Sequence, residues 1–145
     1  MKALPAKNYK ILLLLTAVVS LFFIAGCARK ISFAKSAIVP AASGRVKIKR
    51  DNNKNYAIQI SVENLAKSNK LSPPKSTYVV WMETDDHGTK NIGQLNTSTG
   101  LLSSKLKASL HTVTPYKPRK IFVTAENNAS LSYPQGSTVL ATGSF

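Results

Sequence analysis

Two short stretches of this sequence carry side chains that can do chemistry. "LFFIAGCARK", Leu21 to Lys30, holds Cys27, the only cysteine, and "DDHG" sets Asp85, Asp86 and His87 side by side. A thiolate is a nucleophile and a soft ligand. A carboxylate–imidazole cluster suits proton transfer or a cation. A lone cysteine has no partner for an intramolecular disulfide, so its presence needs another reason. With two histidines, six acids and no serine in a nucleophile-elbow setting, no catalytic constellation stands out. The expectation is a protein that is not an enzyme and needs no cofactor.

The acidic stretch has two readings. Asp and Gly form turns, and "DDHG" lies between two strand-like patterns, which points to a tight turn. The alternative is a metal-binding or metal-sensing site at Asp85, Asp86 and His87, joined by His111 and Met82, since His and Met are copper ligands. Met82 also suits a gap in a core.

The residues before Cys27 explain the thiol. Lys2, Lys7 and Lys10 precede an apolar run from Ile11 to Ala25. A helix of that length rises ~22 Å, short of a ~30 Å hydrocarbon core. A cationic start, a short apolar middle and a small-residue end describe a secretory signal peptide. Ile24-Ala25-Gly26-Cys27 resembles the lipobox of bacterial lipoproteins. The resemblance implies a diacylglycerol on the Cys27 sulfur, cleavage between Gly26 and Cys27, and acylation of the new amino group. Two or three acyl chains anchor a protein stably where one does not. The division expected is a signal peptide over 1–26, a lipidated tether over 27–43 and one domain over 44–145. The protein is expected on a bacterial cell membrane or outer membrane, facing the periplasm or the exterior.

Without residues 1–26 the chain keeps 17 Lys and Arg against 6 acids, a charge of +11. Such an excess favours anionic partners. Phospholipid headgroups, lipid A phosphates, teichoic acid, other acidic polymers or an envelope protein all qualify. Nucleic acid fits the charge but not the compartment.

From Gly44 the chain follows a period of two. "RVKIKR" puts Val46 and Ile48 on one face and Arg45, Lys47 and Lys49 on the other. After the turn "DNNKN", "YAIQISVENL" alternates again, with Tyr56, Ile58, Ile60 and Val62 inward and Gln59, Ser61 and Glu63 outward. "TYVVWMET" is apolar on both faces. "TKNIGQLN", "LLSSKLKASL", "KIFVTAE" and "STVLATGSF" complete about seven strands, with Lys105 and Lys107 outward beside Leu102, Leu106 and Leu110. Short strands with turns between them point to an all-β, immunoglobulin-like antiparallel β-sandwich. Trp81 and Tyr78 are expected in its core. Glu126, ending "VTAE", is expected to be solvated or to pair with Arg119 or Lys120, and Tyr116 and Tyr133 lie in loops beside prolines.

"TYVVWMETDDHGTKNIGQLN", "KIFVTAEN" and "YPQGSTVLATG" together resemble the extracytoplasmic domain of anti-sigma-K factors. The matching residues are Tyr78 and Trp81, Gly93 and Leu95, Val123-Thr124-Ala125-Glu126, and Pro134 to Gly143. The resemblance implies a β-sandwich and an extracytoplasmic sensing or binding module. Ten residues before the apolar run are too few for a sigma-binding domain, so sigma regulation is not implied.

The basic residues Arg45, Lys47, Lys49, Lys105 and Lys107 remain. On a strand, alternate side chains share a face. They serve either as a binding patch for anionic envelope components or as an edge strand dressed against sheet-to-sheet pairing.

Overall fold

The structure, a computed structural model, describes residues 28–99 and 106–145. Its strands are β1 (Arg29–Ser32), β2 (Ser43–Arg50), β3 (Tyr56–Leu65), β4 (Thr77–Glu83), β5 (Thr89–Gln94), β6 (Asn96–Thr99), β7 (Leu106–Thr114), β8 (Lys120–Glu126) and β9 (Thr138–Ala141). They build two antiparallel sheets, in the orders β1-β2-β3-β7-β6 and β5-β4-β8-β9. Taking β2, β3, β7 and β6 as A, B, E and D, and β4, β8 and β9 as C, F and G, yields the two sheets of an immunoglobulin constant-type domain. β1 extends the first sheet beside β2, and β5 the second beside β4. The expected β-sandwich forms, with nine strands among the described residues rather than seven.

The two extra strands have local causes. "TKNIGQLN" is not one strand: Gln94 ends β5 in one sheet and Asn96 opens β6 in the other. Leu95 at the crossing is buried, and its amide reaches the Tyr78 carbonyl at 3.0 Å. Gly93 supplies the φ of 133° that the step requires, where a Cβ would press on Leu110. β1 pairs along β2 from Arg29↔Ile48 to Ser32↔Arg45. Within the 27–43 segment expected to be a tether, residues 29–32 are therefore strand. Its chain joins the sheet at Arg29, and backbone bonds from Phe33 to Gly44 and from Ala34 to Ala141 continue the attachment. Cys27 and Lys105 lie outside the described residues.

Alternation fills the space between the sheets. Val46, Ile58, Ile60 and Val62 meet Tyr78, Val80, Met82, Ile121 and Val123, all essentially inaccessible to water. Each large side chain so buried contributes about 1.5–3 kcal/mol. Trp81 is fully buried, in a second hydrophobic cluster rather than between the sheets. β4 turns Tyr78, Val80 and Met82 towards the other sheet, and the intervening Val79 and Trp81 point away from it. Trp81 stacks on Phe122 at 6.5 Å, and Ala129, Leu131 and Ala141 cover them. The 127–137 loop thus forms a lid over the outside of the second sheet.

Glu126 holds that lid. It is 1 % exposed rather than solvated, and its Oε1 accepts bonds from the Thr124 hydroxyl and from the amides of Gln135 and Gly136. The cations expected beside it go elsewhere: Arg119 pairs with Asp85 and Lys120 with Glu83, each at 3.1 Å. At the other side of the lid, Asn91 donates its side-chain amide to the carbonyls of Ala129 and Leu131.

Candidate functional site

The cations of β2 do not guard an edge. β1 pairs along one side of β2 and β3 along the other, so β2 is an inner strand. Val46 and Ile48 pack inward, which turns Arg45, Lys47 and Lys49 out to solvent, as the alternation predicts. Pairing then sets two rows across the outer face. One runs Lys30, Lys47, Gln59, His111, and the next runs Ser32, Arg45, Ser61, Ser109, Asn96.

Lys30, Arg45, Lys47, Gln59 and Ser61 line a shallow groove of about 300 Å³. Three cations sit beside an amide and a hydroxyl, and no acid lines the groove. Lys30 stands directly opposite Lys47. Like charges facing each other across a strand pair oppose folding, so this arrangement is retained at a cost in stability. What it can do is bind a multivalent anion, since three cations, an amide and a hydroxyl line the same opening. Lys107 adds a charge on the same outer face. Lys30, Gln59 and Ser61 were missing from the sequence-derived site. Gln59 and Ser61 are legible as outward-facing, but the four residues of β1 give too short a pattern to place Lys30 beside them.

The Asp85–His87 stretch is a tight turn between β4 and β5. The Thr84 hydroxyl accepts the His87 amide and donates to the Gly88 carbonyl, and Gly88 has the φ of 63° that closes the turn. Asp85 is engaged by Arg119, and the His87 ring rests 4.5 Å from that of Tyr116. Met82 is in the inter-sheet core and His111 is on the outer face of the first sheet, so the metal-site candidates are not brought together. Among the described residues no three His, Cys, Asp or Glu side chains converge on a point.

The residues of the resemblance occupy packing positions. Tyr78 and Trp81 face opposite sides of β4, Gly93 and Leu95 make the crossing, and Glu126 ties β8 to the 135–136 amides. The Tyr78 hydroxyl donates to the Ala66 carbonyl at 2.9 Å, and burial pushes its pKa up to about 12. No family model matches this chain, and none of the curated proteins or solved structures compared with it matches either. Among the described residues no helix is long and apolar enough to cross a membrane.

Proposed function

We propose that this chain is a lipid-anchored, non-enzymatic envelope protein of a bacterium, which binds an anionic envelope component through the basic face of its five-stranded sheet. The observation that carries this reading is the groove in which Lys30, Arg45 and Lys47 converge without an acid, on an inner strand that needs no edge protection. The lipobox-like Ile24 to Cys27 supports the anchor and the compartment, and the +11 charge of the chain beyond it supports an anionic partner. The flat, open groove suits a repeating polymer such as a polyphosphate-type chain better than a compact metabolite, because its cations are spread over neighbouring strands.

Two measurements test it. Mass spectrometry of the membrane-extracted chain should find an acylated Cys27 at the new N-terminus, and Cys27→Ser should remove both acylation and cleavage. The anchored chain in uncharged nanodiscs should bind polyphosphate, with an affinity that falls steeply as salt rises. Replacing Arg45, Lys47 and Lys49 together with Gln should remove most of that binding and leave the thermal midpoint nearly unchanged. Binding that ignores the triple substitution would overturn the assignment of the face.

A further inference from the structure

A second basic pocket opens at one end of the sandwich, away from the groove. Its cations are Arg29, at the start of β1, Arg50, at the end of β2, and Lys117, in the β7–β8 loop. Ile48, Tyr56 and Phe145 give it an apolar wall. Phe145 is held there by its amide, which donates to the Arg119 carbonyl at 2.8 Å.

The guanidinium groups are already placed. Arg29 lies over the Phe145 ring at 5.1 Å and Arg50 over the Tyr56 ring at 5.7 Å. Aromatic faces hold a cation while leaving its N–H groups free to donate. The ion pairs among the described residues are Arg119–Asp85 and Lys120–Glu83, and neither involves Arg29, Arg50 or Lys117. No acidic side chain lines the pocket. Three cations without an ion-pair partner beside an apolar wall suit an anion with carbon attached.

Size and location narrow that anion. The volume is about 200 Å³, below the 300–1,000 Å³ of pockets that enclose drug-sized ligands. That admits a headgroup rather than a whole lipid. Arginine forks match phosphate oxygens in pairs. Arg29 follows Cys27 by two residues, so the chain permits at most ~7 Å between their Cα atoms.

We propose that this pocket binds the phosphate of a glycerol-phosphate headgroup, with Arg29, Arg50 and Lys117 on the phosphate and Tyr56 and Phe145 against the glycerol carbons. The phosphate site stands on the pocket alone. That the phosphate belongs to a membrane lipid rests on the anchoring at Cys27 proposed above.

Calorimetric titration of the full chain in uncharged detergent tests it, with dihexanoyl phosphatidylglycerol and glycerol 3-phosphate as probes. The expected result is one saturable site, weakened roughly tenfold by either Arg50→Gln or Lys117→Gln, and unaffected by Gln at Arg45, Lys47 and Lys49. Preference for the lipid supports a membrane source. Equal affinity for both probes supports the phosphate site and assigns it to a soluble ester. Absence of saturable binding, or an equal loss from the β2 substitutions, overturns the proposal. The polyphosphate experiment reads different residues, so either result can fail without the other.

Discussion

Trp81 Nε1 donates to the Thr124 hydroxyl at 2.7 Å, joining β4 to β8 on the outside of their sheet. The same hydroxyl donates to Glu126 Oε1, also at 2.7 Å. One indole, one hydroxyl and one carboxylate thus form a buried line beneath the 127–137 lid, and every proton in it has an acceptor. Such lines are stable when complete and costly when cut, because the orphaned group stays away from water.

Trp81→Ala should therefore destabilise the chain by ~3–5 kcal/mol, the usual cost of removing a large buried ring. Thr124→Val keeps the shape but leaves the indole N–H without a partner, and should cost about 1–3 kcal/mol. Denaturant midpoints measure both. A midpoint for Trp81→Ala close to that of the unaltered chain would contradict the burial of the ring.

Glu126 and Gly136 make a paired prediction about the lid. Glu126→Ala removes the acceptor of the Gln135 and Gly136 amides, so both should exchange with solvent much faster. Glu126→Gln keeps a carbonyl acceptor and should restore most of their protection. At Gly136 a Cβ would lie 1.9 Å from the Ala125 carbonyl oxygen, so Gly136→Ala should force β8 and the lid apart. Backbone hydrogen exchange resolved by residue reads all three.

The same residues show where sequence patterns stop being informative. The β2–β3 hairpin was legible because strict alternation and an Asp-Asn turn agree, and its register runs unbroken from Ser43↔Glu63 to Arg50↔Tyr56. β4 carries no such phase: "YVVWM" is apolar at every position, so nothing in it says which side Trp81 takes. Glu126 looked solvated because the amides that satisfy it come from a loop nine and ten residues further on. The phosphate pocket draws on β1, β2, β3, the β7–β8 loop and Phe145, and only the closed sandwich brings them together.

Tyr78 predicts a response to alkali. Burial raises its pKa from 10.0 to about 12, so the folded chain keeps the phenol proton at pH values where the unfolded chain releases it. The folded state then binds more protons, and stability must fall as pH rises from 10 to 12. The contribution is complete below pH 10, and about 2–3 kcal/mol of it is lost by pH 12. Tyr78→Phe should be less stable than the unaltered chain at neutral pH, through the lost bond to Ala66. It should also escape this alkaline loss. Urea midpoints of the two chains should converge between pH 10 and 12, and parallel curves would refute the burial argument.

The last prediction concerns how the anchored protein stands on its membrane. Ala28 alone separates Cys27 from β1, so an acylated Cys27 would hold the β1 start at the bilayer surface. The turn between β2 and β3, with Lys54, lies at that end, and the β3–β4 connection, with Lys70, lies at the other. β2 has eight residues, which separates the two ends by about 25 Å. That exceeds the ~8 Å range over which exposed charges interact at physiological salt. The basic face would then rise from the membrane and remain open to a polymer, while the phosphate pocket meets the headgroups. A spin label on Lys54→Cys should sense a headgroup-bound relaxant, and one on Lys70→Cys should not. Acylation leaves Cys27 unavailable to the label. Ten Gly/Ser residues inserted after Ala28 add a reach of ~17 Å, which should erase most of the difference. Equal relaxation at both sites in the unaltered chain would mean that the sandwich lies flat, with its basic face already occupied by the bilayer.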